Sequence, residues 1–402
     1  MARRTRHVDS TQYEPHVFKD AADESKRRQF LRWVKTKIGL PNEPSKEQPS
    51  STTCSVQSSH DSHDLHDSSA SIGGLCLAQG LKKNGIPFTV FERDPTPNFR
   101  TQGYRLRINS SGYKALKANL TPADFEVFLR SAGTFQPGFK YVDAHTGLAA
   151  PENAPFTHQA SSIKHFFSAN RAMLRSLLLT DLNDHELKYG HAFTRYEMLS
   201  NGHVQVFFDN GRSIEGAVVV GADGTTSRVR RQYVPHAAPL LDTDSAAIYG
   251  KTPITPGIER FFATENLFAM TSAEMAGLSC EMTRHWAPQV RQLLQFQSPE
   301  WCSFLRISTT TPEIKPWAPS PVTLLGDAVH TMVPAGIGCN TALQDAQALV
   351  HYFKEHGVGI NAVAAYERRM RGYGREAIAV SIDACKQMFG LPAVAQMQPV
   401  VY

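Results

Sequence analysis

The 402-residue chain is poor in cysteine and has no long apolar run. Its six cysteines (Cys54, Cys76, Cys280, Cys302, Cys339 and Cys385) are scattered, with no Cys-x-x-Cys pair. That argues against a disulfide framework and for a reducing compartment. No apolar stretch approaches the roughly 18 residues needed to cross a bilayer, so no integral membrane segment is expected. Residues 1–16, MARRTRHVDSTQYEPH, lack the apolar segment of a secretory leader. A cytoplasmic protein is the resulting expectation. A basic face is missing too. Of the formal charge of +5, residues 1–50 account for most, with 11 Lys/Arg against 7 Asp/Glu, leaving 31 against 30 in the rest. A neutral folded part speaks against phosphate-backbone binding, and no nucleic-acid partner is expected. What remains, at 41% hydrophobic and 20% charged residues, is material for one large or two ordinary globular domains.

The first 70 residues differ in texture from the others. Ala21–Leu40 places Phe30, Val34 and Ile38 at helical spacing opposite basic residues. It reads as a short solvated helix rather than a membrane-surface one. Residues 41–69, rich in Ser, Pro, His and Asp, read as a disordered linker. There His60, His63 and His66 alternate with Asp, but nothing nearby supplies the rigid surroundings of a metal site, and no metal is assigned. The expected division is an extension over 1–70, a main domain over 71–390 with a substrate layer at about 235–320, and a tail over 391–402.

From Ser71 a dinucleotide-type pattern begins. Ile72–Asn84 reads as a helix with Gly73 and Gly74 at its start, ended by Gly85, and Pro87–Glu92 as a strand closing on an acid. Gly74 to Glu92 is the distance from the last glycine of a G-x-G-x-x-G fingerprint to a ribose-binding acid. Asn170–Asp181 reads as an amphipathic helix with Arg171 and Arg175 one turn apart. His203–Val220 reads as two strands around an Asn-Gly turn, then an apolar strand running into GADGTTSRVR, Gly221–Arg230. The most informative run is Leu324–Leu349: a buried strand into Gly326-Asp327, a Pro/Gly loop, and a helix from near Gly338. An acid at a strand end, facing a glycine-lined helix N-terminus, suits a ligand with hydroxyls in one place and anionic oxygens in another. Helices over Thr341–His356 and Asn361–Phe389 follow, the second with a break around Gly372–Gly374.

With His330, Pro334, Gly336, Gly338, Asn340 and Asp345 in order, this run resembles the third flavin-contacting motif of the class A flavoprotein monooxygenases, the p-hydroxybenzoate hydroxylase-like family. The likeness is closest to fungal flavin monooxygenases of secondary metabolism and covers about residues 71–390. It implies an α/β fold: a doubly wound, Rossmann-like FAD-binding domain with an interleaved β-sheet substrate layer and C-terminal helices. It also implies cofactor-binding roles. Gly73 and Gly74 would lie at the pyrophosphate, Glu92 at the ribose, and Arg171 of the R-x-x-L element at the pyrophosphate. Arg105 and Arg107 compete for a place near the flavin. Asp223 of the DG motif is associated with FAD and NAD(P)H. Asp327, Gly338, Cys339 and Asn340 would lie along the ribityl–pyrophosphate region and flavin ring. Tyr249 is the candidate catalytic hydroxyl.

The implied activity is an FAD-dependent monooxygenase that uses NAD(P)H and O2 on a small organic substrate, aromatic, polyketide or terpenoid in type. No second nucleotide fingerprint is present, as in that family. The W-x-W-x-I-P element of halogenases is absent, since Trp286 and Trp317 each stand in a lone Trp-Ala-Pro. The alternatives are a flavin-dependent reductase or dehydrogenase, and a degenerate non-catalytic relative that binds FAD weakly.

Two departures from the pattern bear on the last alternative. The fingerprint stands as Ser69-Ala70-Ser71-Ile72-Gly73-Gly74, with serine at its first two glycine positions. The residues before it, HDSHDLHDS, hold one apolar side chain, whereas a central parallel strand needs a nearly continuous apolar run. The first strand is therefore expected to be missing, leaving its neighbours with unpaired main-chain groups and FAD weakly held.

Overall fold

In the computed structural model, residues 54–58, 71–96, 104–134, 144–146, 148, 167–249, 283–295 and 303–400 are described, the side chains of 54–58, 246–249, 289–290, 293, 303–306 and 387–389 excepted. The expected Ala21–Leu40 helix and the His60, His63 and His66 cluster lie outside them. The described residues fall within one compact unit, Pro49–Tyr402.

In chain order the elements are β1 (Cys54–Ser58), α1 (Ile72–Lys83), β2 (Phe88–Glu92), β3 (Arg105–Ile108), α2 (Ser110–Asn119), α3 (Pro122–Ser131), β4 (Gly133–Thr134), β5 (Phe167–Asn170) and α4 (Arg171–Leu178). Then come β6 (Leu187–Lys188), β7 (Phe193–Met198), β8 (Val204–Phe208), β9 (Ser213–Gly216), β10 (Val218–Gly221), α5 (Arg228–Tyr233), β11 (Leu241–Tyr249) and α6 (Pro288–Gln295). The last are β12 (Ser303–Thr309), β13 (Val322–Leu324), α7 (Asp327–His330), α8 (Gly338–His356), α9 (Ile360–Phe389) and β14 (Gln398–Pro399).

The centre is a five-stranded sheet in the order β13-β10-β1-β2-β6. All four of its pairings are parallel. β2 and β10 are buried along their length, as strands covered on both faces must be. Helix α1 packs against α8, α2 and α4, and α8 packs against α9. This is the doubly wound arrangement expected.

The middle strand corrects the expectation that the first strand is missing. β1 is the segment CSVQS, which has one aliphatic residue and lies in the stretch read as linker. Its main chain pairs on both sides, from Cys54 opposite Phe88 to Ser58 opposite Glu92, and from Cys54 opposite Val218 to Gln57 opposite Gly221. Periodicity did not reveal it because the ladder is supplied by two apolar neighbours, FTVFE and VVVG, rather than by its own hydrophobicity. The main-chain groups expected to lie orphaned on β2 and β10 are satisfied.

Two further corrections concern the C-terminal part. Helix α9 runs unbroken through Gly372–Gly374. At Gly374 a Cβ would stand 3.1 Å from Ile314 Cδ1 and 3.4 Å from His330 Cδ2, so glycine there serves close packing and not a break. The expected tail over 391–402 contributes β14, which pairs with β11 at Leu241 and Asp242. With β12 these form a separate antiparallel sheet, β12-β11-β14, where the substrate layer was expected. The Asn210-Gly211 hairpin is as read, with Gly211 at φ 77° joining β8 to β9.

Candidate functional site

In an open parallel sheet, ligands bind beyond the carboxyl ends of the strands. Register makes that edge level here: Ser58 lies opposite Glu92, Gln57 opposite Gly221, and Gly221 opposite Leu324. The segments leaving these ends carry the expected residues.

Past β13, Gly326 adopts φ 65° and ψ −139°, a region open essentially to glycine alone. It turns the chain into α7, whose first residue, Asp327, is exposed. Asp327 Oδ1 lies 3.9 Å from where a Cβ would stand on Gly338, the first residue of α8. Helix α8 has no side-chain cap hydrogen bond at its N-cap position, Ile337. The acid and the open helix N-terminus thus meet, as the motif required.

Arg107 separates from Arg105 in this setting. Arg105 is exposed and donates from Nη1 to Ser168 O at 3.3 Å. Arg107 packs against Gly336 in the Pro334–Gly338 loop, its side chain 3.6 Å from that glycine's Cβ position. Asn340, expected at the cofactor, is buried and has its amide engaged. Its Oδ1 accepts from Asn109 N at 2.9 Å, and its Nδ2 donates to Arg107 O at 2.8 Å and Gly336 O at 3.0 Å. A Cβ on Gly112 would collide with it. Asn340 therefore ties β3, the start of α2 and the glycine loop together. Cys339 is half-buried beside it, in contrast to the buried Cys76 and Cys385. Burial pushes the Cys76 thiol up to about 12, with an opposing hydrogen bond from Asn119.

At the other half of the sheet, Glu92 closes β2 and is buried. Its Oε1 accepts from Asp94 N at 3.0 Å, and its Oε2 lies 4.0 Å from Arg175 Nη2. Arg171 is also buried, opens α4, and sits with its guanidinium carbon 5.5 Å from the Tyr104 ring centroid. Gly73 is packed: a Cβ would stand 2.5 Å from Leu325 Cδ2 and 3.0 Å from Ala342 Cβ, so its bareness seats α1 on the Leu325 segment and α8. Gly74 donates its N–H toward Ser71 Oγ at 3.4 Å, which makes Ser71 the N-cap of α1.

Asp223 is fully buried. Ser227 Oγ donates to its Oδ1 and Val229 N to its Oδ2, the latter at 3.1 Å. Burial raises its pKa, while these hydrogen bonds act the other way. The carboxylate anchors the turn into α5. The main chain of Tyr249 pairs with Ser303 at the end of β11, and its side chain lies outside the described residues.

Sequence reasoning missed a buried group behind Gly326. His330 and Asp345 are both fully buried, with Nε2 and Oδ2 2.7 Å apart. The same Oδ2 accepts from Gly326 N at 2.8 Å, and the Tyr373 hydroxyl donates to Oδ1. Burial pushes the His330 pKa down, but the Asp345 carboxylate outweighs it and the net shift is upward. His330 and Asp345 stand out in the motif, but Tyr373 lies on another helix and no spacing connects it. Among the described residues, no group of three or more His, Cys, Asp or Glu could hold a metal, and no helix is long and apolar enough to cross a membrane.

Comparison with known proteins gives the same direction. The family profile described as "FAD binding domain" matches residues 281–382. The dual O-methyltransferase/FAD-dependent monooxygenase CTB3 of Cercospora beticola is 30% identical over 400 residues, covering 80% of this chain and 46% of that protein. The FAD-dependent monooxygenase adaC of Aspergillus niger is 34% identical over 181 residues, 42% of this chain and 41% of that one. The chain thus spans less than half the length of the curated relatives it matches. A crystal structure from Photorhabdus luminescens, described as a FAD-containing monooxygenase, superposes with a TM-score of 0.68 at 25% identity, over 84% of this chain and 98% of that one.

Proposed function

We propose that the chain is a class A flavoprotein monooxygenase, an FAD-dependent enzyme that uses NAD(P)H to insert one oxygen atom of O2 into a small organic molecule. The balance is substrate C–H, O2, NAD(P)H and a proton giving C–OH, water and NAD(P)+. The observation that carries the reading is the meeting of exposed Asp327 with the uncapped start of α8, 3.9 Å from the Gly338 Cβ position. The donor set suits FAD: hydroxyl-binding acids at two strand ends, and main-chain N–H groups at a helix start for anionic oxygens.

FAD, when bound, supplies the redox chemistry, taking electrons from NAD(P)H and passing them to O2. The chain's own residues bind and orient. Asp327 would accept hydrogen bonds from ribityl hydroxyls, and the first N–H groups of α8 would receive anionic oxygens. Arg107 is the better placed of the two β3 arginines to hold charge beside the glycine loop. Glu92 serves the adenosine ribose and Arg171 the pyrophosphate. Asp223 and Asn340 hold their turns in shape and contribute indirectly. The sheet β12-β11-β14 forms the substrate layer, with Tyr249 as candidate contact.

For the substrate we favour an aromatic, polyketide- or terpenoid-type secondary metabolite, phenols foremost. CTB3 joins O-methylation to oxygenation in one protein, and methyl transfer to oxygen needs a hydroxyl. A second reading, a weakly binding non-catalytic relative, is favoured by Ser71, whose hydroxyl engages the Gly74 amide in the first turn of α1.

The test uses the full chain purified with FAD. The expected result is a yellow protein whose NADPH oxidation is stimulated by a phenolic substrate and yields a product one oxygen heavier. A protein that takes up no FAD would overturn the proposal. Stimulated NADPH oxidation without an oxygenated product would replace it with a reductase.

A further inference from the structure

The Gly326–Asp327 turn is held from behind by a device that periodicity does not show. Gly326 has a conformation that must be fastened at both ends. Its N–H donates to Asp345 Oδ2 at 2.8 Å. Its carbonyl accepts from Val329 N and His330 N, both at 3.0 Å. The His330 ring then returns to the same Asp345 oxygen at 2.7 Å. One carboxylate thus grips the first and last residues of the turn. Tyr373 of α9 donates to the other oxygen, and Gly374 of the same helix lets His330 pack closely, 3.4 Å from a Cβ position. Asp345 itself lies two turns along α8 from the N-terminus that meets Asp327.

A buried carboxylate is costly unless its lone pairs are satisfied. Here they are satisfied by the turn on one side and by α9 on the other. Asp345 is a polar group on a helix whose neighbouring residues Ala342, Leu343 and Ala346 belong to the hydrophobic core. We propose that Asp345, with His330 and Tyr373, is a positioning residue for the cofactor: it clamps the Gly326–Asp327 turn to α8, so that the Asp327 carboxylate and the α8 N-terminus face FAD as one rigid unit. The inference rests on the FAD reading above.

A second buried acid provides the control. Glu367 on α9 accepts from Thr323 Oγ1 at 2.8 Å and Tyr233 OH at 3.3 Å, with no bond to the Gly326 turn. Asp345→Asn, Tyr373→Phe and Glu367→Gln would be made in the full chain. For each, three quantities are measured: FAD affinity by quenching of flavin fluorescence, thermal melting without FAD, and amide hydrogen exchange across residues 322–331. Asp345→Asn is expected to weaken FAD about tenfold and Tyr373→Phe less, the scale of one or two hydrogen bonds to charge. Both should speed exchange in 322–331 of the FAD-free protein. Glu367→Gln should lower the melting temperature and leave FAD affinity near that of the parent. Parent-like affinity and exchange in the first two variants would overturn the clamp. So would an FAD loss in Glu367→Gln matching theirs, which would reduce the effect to general destabilisation. If the parent itself takes no FAD, the functional reading falls, and the clamp's role with it; the exchange measurement tells that failure from the other.

Discussion

Helices α1 and α8 both start beyond the carboxyl edge of the same parallel sheet, yet one is closed by its own side chain and the other is open. Ser71 caps α1 with its hydroxyl, whereas α8 begins at Gly338, after Ile337, with no side-chain cap and has Asp327 for a neighbour. A capped helix is a more stable element and a poorer anion site, because the cap uses a donor that a ligand would otherwise receive. An open one keeps its donors for the ligand. On the proposed reading the α8 side would serve the ligand, while the Ser71 cap on the α1 side serves local stability. The same contrast marks the two acids. Asp327 is exposed, and Glu92 is buried against Arg175.

The sharpest break of this comparison is Asp327→Ala. An exposed acid holds little of the core together, so the FAD-free melting temperature should stay within a degree or two of the parent. FAD should be lost on gel filtration, and absorbance per polypeptide reads the outcome. Retention of stoichiometric flavin would sink the role of the α8 side. Glu92→Ala should do something different in kind. Removing an acceptor of ribose hydroxyls costs roughly 1.5–3 kcal/mol of binding. It also takes from buried Arg175 the carboxylate 4.0 Å away, and losing one member of a buried ion pair costs about 3 kcal/mol of stability. Denaturation midpoint and FAD affinity should fall together. A change in affinity alone would mean that Arg175 is satisfied elsewhere.

This asymmetry also decides how much could be read from the sequence. The α8 side was legible because its signals are local: an apolar strand, Gly326-Asp327, and a helix from Gly338 lie in one run. β2, the hairpin after β8 and the apolar β10 were legible for the same reason. β1 was not, because CSVQS becomes a strand through pairing with β2 and β10, which lie far from it in sequence. The unbroken α9 and the return of β14 are likewise settled by tertiary contacts, at Gly374 with Ile314 and at Leu241 with Pro399. Among site residues, Asp327 and Glu92 could be picked out by position. The contact of Arg107 with Gly336, which sets it apart from Arg105, and the bond from Tyr373 on another helix to Asp345 could not be read from spacing.

A smaller effect is expected from pH. The net pKa of His330 lies above its ordinary 6.5, with burial acting downward and the contact with Asp345 overriding it; Asp327 adds to the rise. The charged groups acting on the ring are Asp345 on α8, itself bonded by Tyr373 of α9, and Asp327 on α7. Since the folded value is raised, the contribution of the charged imidazole to stability is complete below pH 6.5. It is lost as pH rises through the folded value. Melting temperature should therefore decline on the alkaline side of neutrality, and His330→Gln should flatten that slope. A parent profile that is flat there would show that His330 is not charged in the folded chain.

The smallest effect, and the one that tests the α1 side directly, comes from Ser71→Gly. Replacing a capping serine by glycine costs only a few tenths of a kcal/mol, so melting should drop slightly. Ser71 has φ −55° and ψ 132°, which glycine adopts as readily, so no backbone change is forced. The Gly74 N–H, now within 3.4 Å of Ser71 Oγ, would be released toward the cleft. A main-chain donor to a charged oxygen contributes about 1.5–3 kcal/mol at most, and part of that is offset by water that solvates the released group. A gain in FAD affinity of about threefold to tenfold is the expected result, with stability moving the opposite way. Opposite signs in two readouts from one substitution are hard to obtain by accident. If affinity instead falls along with stability, the Ser71 hydroxyl is itself a ligand to the phosphate, and the α1 side would be as much a binding surface as the α8 side.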